Sequence, residues 1–366
     1  MKIMLYISER LTGGGLQVAL SILNELKYFP ENEYHICLSK KVFSQMPINI
    51  PSCILYYVLD KTSILSISSV MKKLERKIKP DVVFSVFSPT YWRPISKHIA
   101  GFAIPHYLYY DSPYFKTLTI IDKLKLFLKK MIHINLINWQ VDAIICETDD
   151  ATKRSMKVFN KNKRYYTVSN TYNHFFGNEC KRKLFLPITN DTIRFVTISN
   201  YYKHKNLDII PNVVELLTQK NIFNFEFILT INEKDYSRII PEKYRKYVKN
   251  IGPISVSDCP SLYNECDIMF LPSLLECFSA NYPEAMIMGK PILTSDLGFA
   301  HTVCNEAALY FNPLSPQDIS EKIIEIINNK KLFDQLKENG FKRVKDFPTA
   351  NERVKQYLDI CKEIIK

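Results

Sequence analysis

The sequence predicts an α/β fold in which helices cover parallel β-sheets, organised as two domains. Short apolar runs typical of buried strands alternate with segments of helical periodicity along most of the chain. The first run, Lys2–Ser8, is followed by a predicted glycine loop at 13–15 and a helical pattern over Leu16–Phe29. At 366 residues, the chain is long enough for two domains, each with its own core.

The first half of the chain continues this alternation. Further strands are expected at Tyr34–Ser39, Ile54–Val58, Asp81–Phe87, Gly101–Pro105, Val141–Cys146 and Arg164–Val168. Further helices are expected at Ser66–Ile78, Tyr91–His98, Lys116–Asn135 and Thr148–Val158. A basic segment at 181–183 is interpreted as the linker, so the predicted first domain spans residues 1–182.

The second half has the same character and is predicted to form a domain over residues 183–348. Strands are expected at Arg194–Ser199, Phe225–Ile231, Ile268–Pro272, Pro291–Thr294 and Ala308–Phe311. Helices are expected at Leu207–Gln219, Asp258–Glu265, from about Pro283 to Gly289, at Asp318–Asn328, Lys331–Asp346 and Thr349–Ile365. Proline suits a first helical turn and glycine commonly ends a helix, which defines the helix after Ile268–Pro272.

A candidate phosphate site lies between the strand Ile268–Pro272 and that helix. In open parallel sheets, phosphates bind at the carboxyl ends of strands, where free N–H groups of a helix start point outwards. Here those groups would come from Cys277, Phe278, Ser279, Ala280 and Asn281.

Two glutamates, Glu276 and Glu284, lie at the ends of this turn. A diphosphate would repel a carboxylate in direct contact, so each is better used to accept hydrogen bonds from hydroxyl groups on either side. A ligand with a central diphosphate and hydroxyl-rich ends is a nucleotide-sugar. The alternative is that both are surface glutamates that the helix dipole favours.

This stretch resembles glycosyltransferase family 4, because Glu276 and Glu284 are separated by seven residues, after a strand ending in Pro-Ser and at a Pro-Glu-Ala-Met helix start. The resemblance implies a GT-B fold, with two Rossmann-like domains whose parallel sheets face a central cleft. It also implies retaining sugar transfer, with Glu276 on the donor sugar and Glu284 on the ribose. In this family, the terminal segment, here 349–366, returns to the first domain.

The resemblance extends to other donor-site positions. Related enzymes carry Arg where this chain has Asn200 and Lys where it has Lys205, and the pair binds the leaving diphosphate. The departure at Asn200 removes one cation, which Lys203, His204 or the helix amides would replace. The turn Gly252–Ile254 is expected to meet the base through its backbone at Gly252 and Ile254.

The first domain contributes three candidate positions by the same resemblance. Gly14 and Gly15 are expected near the donor phosphate, although a plain tight turn explains them equally well. His106 is expected beside the donor sugar, with a structural or surface histidine as the alternative. The glycines lack G-x-G-x-x-G spacing, which argues against a nicotinamide cofactor.

The positive charge is confined to the first half. Residues 1–182 contain 26 Lys/Arg and 14 Asp/Glu, whereas residues 183–366 contain 23 of each. An excess of this kind indicates an anionic partner. Since no nucleic-acid-binding pattern occurs, we expect an anionic membrane surface and no nucleic acid. The helix predicted over Lys116–Asn135 adds an apolar face next to lysines, although helices that cover a sheet are also amphipathic.

No signal peptide or membrane span is expected, and nine scattered cysteines without a C-x-x-C pair favour a reducing cytosol. The sequence thus predicts a cytoplasmic protein on the inner face of a membrane. It contains no D-x-D spacing, so we expect metal-independent chemistry, and no cofactor is expected because the nucleotide-sugar is a substrate.

These observations predict a retaining glycosyltransferase with a lipid-linked or polysaccharide acceptor, in bacterial surface polysaccharide synthesis such as that of O-antigen or capsule. The assigned catalytic residues are Glu276 and Lys205. Two alternatives remain open at this stage. One is a nucleotide-sugar epimerase of the same fold, and the other is a non-catalytic glycan-binding relative.

Overall fold

The structure is a computed structural model that describes residues 1–8, 13–46, 52–59, 64–176, 183–188 and 191–366. The chain divides into two compact units. The first contains Met1–Tyr110, Leu118–Asn170 and Pro348–Lys366, and the second contains Asp111–Thr117 and Thr171–Phe347. The division thus falls at Asn170 rather than at residue 182, and one short segment of the first half of the chain joins the second unit. The predicted linker lies largely outside the described residues.

The first unit is built on a parallel sheet. Its strands are β1 (Lys2–Tyr6), β2 (Glu33–Ser39), β3 (Ile54–Leu59), β4 (Val82–Ser85), β5 (Lys97–Gly101), β6 (Ala143–Cys146) and β7 (Arg164–Thr167). They are ordered β3-β2-β1-β4-β5-β6-β7, with Leu5 of β1 opposite both Ile36 and Phe84. Helices connect them: α1 (Gly13–Glu25), α2 (Lys40–Phe43), α3 (Ile64–Ile78), α4 (Pro105–Leu108), α5 (Ile120–Gln140) and α6 (Asp149–Val158).

Three local predictions in this unit were wrong. Gly14 and Gly15 lie in the first turn of α1 and not in a loop. The predicted helix Tyr91–His98 and strand Gly101–Pro105 are replaced by an irregular stretch, the strand β5 and the short helix α4. The reason is tertiary, because β5 pairs with β4 and the buried ring of His98 bonds the Ser85 hydroxyl at 2.8 Å.

The second unit has its own parallel sheet. Its strands are β8 (Ile193–Thr197), β9 (Phe225–Leu229), β10 (Val248–Asn250), β11 (Ile268–Leu271), β12 (Ile292–Ser295) and β13 (Ala308–Phe311), in the order β10-β9-β8-β11-β12-β13. Its helices are α7 (Ile210–Gln219), α8 (Glu233–Ile239), α9 (Cys259–Asn264), α10 (Asn281–Ile287), α11 (Gly298–Cys304), α12 (Pro316–Asn328) and α13 (Lys330–Arg343). Two parallel α/β sheets confirm the predicted fold class.

The last helix, α14 (Ala350–Ile364), belongs to the first unit. Thr349 and Glu352 form a capping box that fixes its start, which satisfies two backbone N–H groups that would otherwise have no partner. Tyr357 and Leu358 lie in the apolar core next to α1 and β1. The buried Arg353 donates a hydrogen bond to the hydroxyl of Ser21 at 2.8 Å.

Along the stretches that the structure describes, no helix is both long enough and apolar enough to span a bilayer.

Candidate functional site

The candidate site is formed at the carboxyl ends of two neighbouring strands of the second unit. Strands β8 and β11 are parallel and adjacent, with Phe195 opposite Ile268. A 3₁₀ turn, Lys203–Lys205, follows β8, and the loop of residues 272–280 follows β11. Because carboxyl ends of parallel strands meet at one edge of the sheet, the two loops lie side by side.

A buried ion pair joins the loops. Lys205 Nζ lies 2.5 Å from Glu276 Oε1, and the two residues are 9% and 8% exposed. The same carboxylate oxygen accepts a hydrogen bond from the Ser273 hydroxyl at 2.9 Å. The structure therefore brings together the two residues that the sequence assigns to catalysis, 71 positions apart.

The backbone also holds the loops together. The N–H of Leu274 donates to the carbonyl of His204 at 2.7 Å. The N–H of Lys205 donates to the carbonyl of Tyr202 at 2.8 Å, which closes the turn. The cation and the carboxylate are thus fixed by main-chain contacts of the residues next to them, and their geometry does not depend on the ion pair alone.

The predicted N–H donors follow directly after Glu276. Within the described ranges, the backbone N–H groups of Phe278, Ser279, Ala280 and Asn281 donate no hydrogen bond. Helix α10 begins at Asn281, two residues before Pro283. Four successive free donors form a surface suited to an anion. Cys277 is buried at the start of this segment.

Asn281 fixes the orientation of this loop through its side chain. Its amide nitrogen donates to the carbonyl of Ile198, just after β8, at 2.9 Å, and lies 3.3 Å from the hydroxyl of Tyr263. Its carbonyl oxygen accepts from the Ser279 hydroxyl at 3.2 Å. The side chain is therefore structural, while its backbone N–H remains available.

Glu284 lies in the first turn of α10. No hydrogen bond or ion pair involves its carboxyl group among the residues that are described. Burial raises the pKa of Glu284 to about 8. An unpaired, desolvated carboxyl group of this kind can be stabilised by hydroxyl donors from a ligand.

The structure shows how the residues that could replace an arginine at position 200 are placed. Asn200 is exposed, and its carbonyl accepts from the Ser199 hydroxyl at 2.6 Å. Burial lowers the pKa of His204 by more than the nearby Glu276 raises it, which disfavours its charged imidazolium form. The ammonium of Lys203 donates to the carbonyl of Thr117 at 2.7 Å. Lys205 is therefore the cation that the structure places at Glu276.

The remaining positions lie outside these two loops. Gly252 and Ile254 follow β10, and Gly252 has a φ of +75°, a conformation that favours glycine. His106, in α4, and Gly14 and Gly15, in α1, belong to the first unit. Their predicted part in donor binding stays a prediction.

Two residues that hold this site were not anticipated from the sequence. Ser273 contacts Glu276, and Ser112 donates from its hydroxyl to the carbonyl of Leu274 at 2.6 Å. Ser273 lies in the Pro-Ser ending of the strand, which is a usable signal. Nothing in the sequence marks Ser112, because its contact joins residues 162 positions apart.

Comparison with known proteins shows which family the second unit is similar to. Residues 182–343 match the model of the family described as glycosyl transferases group 1. This part of the chain, 162 of the 366 residues, is similar to group 1 glycosyl transferases. Membership of family 4 in particular stays a prediction.

Two curated relatives carry this similarity further. The O-antigen chain mannosyltransferase RfbU of Salmonella typhimurium is 21% identical over 56% of this chain and 54% of its own length. An N-acetylgalactosaminyltransferase of Campylobacter jejuni, which acts on N,N'-diacetylbacillosaminyl-diphospho-undecaprenol, is 31% identical over 30% of each chain. The chain thus spans about half or less of the length of these relatives.

Solved structures show that the whole chain has the GT-B fold. HepE of Anabaena, solved with UDP-glucose, superposes with a TM-score of 0.69 at 14% identity, covering 98% of this chain and 99% of its own. The likeness extends over both units, whereas the family model covers the second.

We predict that ionisation of Glu284 destabilises the fold. Its pKa is about 8 when folded and near 4.5 in a model peptide, so its contribution to stability is complete below about pH 4.5 and is lost as pH rises through 8. Glu284→Gln removes this loss. Urea unfolding should therefore show the variant gaining stability relative to the parent between pH 5 and pH 9. Glu338→Gln, at an exposed glutamate of α13, is the control, and a difference that does not change with pH would contradict the prediction.

Proposed function

We propose that this chain is a retaining glycosyltransferase that moves a sugar from a nucleoside diphosphate to a lipid-linked or polysaccharide acceptor. The observation that carries the proposal is the buried pair Lys205–Glu276 beside the four free N–H groups of residues 278–281. A cation, N–H donors and a hydroxyl-binding carboxylate are the groups that a sugar diphosphate requires.

In the proposed mechanism, donor binding exchanges partners within the ion pair. Lys205 turns to the diphosphate, and Glu276 accepts hydrogen bonds from hydroxyl groups of the donor sugar. Lys205 exchanges Glu276 for the diphosphate, and Glu276 exchanges Lys205 for sugar hydroxyl groups. Neither charge is therefore left buried without a polar partner. The free N–H groups of residues 278–281 share the diphosphate charge.

The proposed step breaks the bond between the anomeric carbon and the phosphate oxygen. The acceptor hydroxyl oxygen bonds to that carbon on the same face, and the departing phosphate oxygen takes its proton. Lys205 and the N–H groups stabilise the charge that grows on the diphosphate, which is preorganised electrostatic catalysis. No metal ion has a part in this proposal.

The remaining donor groups are assigned to flanking positions. Glu284 would accept from the ribose hydroxyls, and the backbone at Gly252 and Ile254 would meet the base. We retain Gly14, Gly15 and His106 as proposed contacts of the first unit with the donor or acceptor.

The substrate class draws support from the relatives. HepE is solved with UDP-glucose, RfbU is named as an O-antigen chain mannosyltransferase, and the Campylobacter enzyme acts on a diphospho-undecaprenol glycan. We propose that the acceptor here is likewise a lipid-linked or polysaccharide glycan used in surface polysaccharide synthesis.

Mass spectrometry of products from a panel of nucleotide-sugars, with and without membrane lipid extract, tests the activity. We expect a glycan product only when extract is present, and an unchanged yield in EDTA. An isomerised nucleotide-sugar formed without acceptor would indicate an epimerase instead. Absence of any product would favour a non-catalytic binder, while loss of yield in EDTA that magnesium or manganese restores would contradict the metal-free mechanism.

Removing either charge of the ion pair should abolish efficient transfer. We expect Glu276→Gln and Lys205→Met each to lower turnover by about 10²-fold or more, since preorganised electrostatic groups contribute on that order. The double variant should be equally inactive but retain the parent's unfolding transition, because it leaves no unpaired buried charge. Lys234→Met, at an exposed lysine of α8, is the control. Normal turnover of the double variant would refute the assignment.

We further propose that α5 binds an anionic membrane surface. Seven apolar residues that define its predicted apolar face are between 45% and 85% exposed: Ile120, Ile121, Leu124, Phe127, Leu128, Met131 and Ile132. The buried residues of this helix are instead His133, Ile137 and Gln140. The apolar face is therefore not the one that packs on the protein, and an uncovered apolar face calls for another partner.

The lysines of α5 fit a lipid surface. Lys123, Lys125 and Lys129 are exposed and Lys130 is half-buried, and with 3.6 residues per turn they flank both sides of the apolar face. This arrangement allows the aliphatic stems to lie along the apolar boundary while the ammonium groups meet lipid phosphates. Each contributes about 1 kcal/mol near an anionic surface.

Sedimentation with phosphatidylglycerol-containing vesicles tests this surface. Binding should weaken as salt rises, because the Debye length is about 8 Å at physiological ionic strength. Binding should also fall when Lys123, Lys125, Lys129 and Lys130 become Gln, and when Phe127 and Leu128 become Gln. Zwitterionic vesicles are the control. If the protein does not bind anionic vesicles at low salt, the membrane assignment is wrong.

A further inference from the structure

The segment Asp111–Thr117 packs with the second unit although its neighbours on both sides belong to the first. We call it the strap. The chain leaves the first unit after Tyr110, contributes these seven residues to the second, and returns at Leu118. A 3₁₀ turn over Pro113–Thr117 gives the strap a defined conformation.

The strap contacts both loops of the candidate site. On the β11 side, the Ser112 hydroxyl donates to the carbonyl of Leu274 at 2.6 Å. On the β8 side, the buried ring of Tyr114 lies edge-on to the imidazole of His204, with centroids 6.2 Å apart, and the carbonyl of Thr117 accepts from Lys203. The strap therefore contacts residues close in sequence to Glu276 and residues close in sequence to Lys205.

The strap is also braced internally. The Ser112 hydroxyl accepts from the N–H of Tyr114 at 3.1 Å while it donates to Leu274, and the hydroxyl of Thr117 donates to the carbonyl of Tyr114 at 2.8 Å. The Ser112 hydroxyl thus bonds both to the strap itself and to the loop that contains Glu276. Loss of its hydroxyl removes both links at once.

Leu274 connects these contacts to the site. Its N–H bonds the His204 carbonyl and its carbonyl accepts from Ser112, so its peptide groups are fixed from both sides. Glu276 lies two residues further along, and Lys205 directly follows His204. Movement of Leu274 would therefore separate the ammonium from the carboxylate.

We infer that the strap is a positioning element of the proposed transferase, and that Ser112 acts through Leu274 to hold Glu276 against Lys205. This inference rests on the proposed function for its catalytic consequence. The clamping of the two loops is independent of any activity.

Ser112→Ala, Ser112→Thr and the control Ser237→Ala, at an exposed serine of α8, test the inference in the full chain. The first measurement is amide hydrogen exchange by mass spectrometry. Peptides that cover 203–206 and 273–276 should exchange faster in Ser112→Ala, while those of β8 and β9 should not change. Ser112→Thr keeps a hydroxyl and should restore protection. Unchanged exchange in the loops, or faster exchange throughout the unit, would overturn the strap's role.

The second measurement is turnover with the donor that the panel identifies. Ser112→Ala should lower turnover about tenfold, since a small misplacement of reacting groups has effects of this size or larger. In the Glu276→Gln background, Ser112→Ala should lower turnover less than about twofold, because its effect on turnover depends on Glu276. A full loss in that background would overturn the positioning role.

The two measurements separate the proposals. If the parent protein transfers no sugar, the proposed function fails, while exchange in 203–206 and 273–276 still decides whether the strap clamps the loops. If transfer occurs but Ser112→Ala behaves as the parent in both measurements, only the strap inference fails.

Discussion

The candidate site of the second unit depends on the buried ion pair Lys205–Glu276. Burying two charges has a large desolvation cost, and replacing such a pair with well-packed apolar residues is often neutral or stabilising. Stability alone therefore does not explain the pair. What the structure provides is support from several sources: the Ser273 hydroxyl on the carboxylate, and main-chain bonds of Leu274 and Lys205. In the proposed mechanism, these contacts hold both charged groups in place for a donor that binds between them and becomes the new partner of each.

Sheet topology explains how residues so far apart in sequence meet. Strands β8 and β11 are distant in sequence but adjacent in the sheet. After β8, the chain adds β9 and β10 on one side of it, then crosses to the other side, where β11, β12 and β13 follow. The order of the strands reverses at the β8–β11 step, and in α/β sheets this is the position where loops part and ligands bind. The free N–H groups at 278–281 lie beyond the same end of β11.

The sequence predicts the fold well because its signal is local. Alternating apolar strands and amphipathic helices identify both sheets, and the strand Ala308–Phe311 is found as predicted. Elements fixed by tertiary contacts were not predictable, as at Tyr91–His98, where sheet pairing overrides helical periodicity. The site shows the same division. Glu276 stands out by its spacing from Glu284 and Lys205 by the family resemblance, whereas their mutual contact and the hydroxyl of Ser112 depend on which loops the topology places together.

Helix α5 shows what amphipathicity can and cannot reveal. A periodic apolar face predicts a helix, but it does not say whether that face meets a protein core or another apolar phase. In the structure, the helix packs through residues such as His133 and Ile137 and leaves the predicted apolar face exposed. Such a large exposed apolar area has a cost in water unless something covers it. The lysines on both sides of the face and the positive charge of residues 1–182 favour anionic lipid over another protein surface of mixed charge. Because the strap ends only three residues before Ile120, the segment 111–140 carries both the support of the ion pair and the surface proposed to meet the membrane.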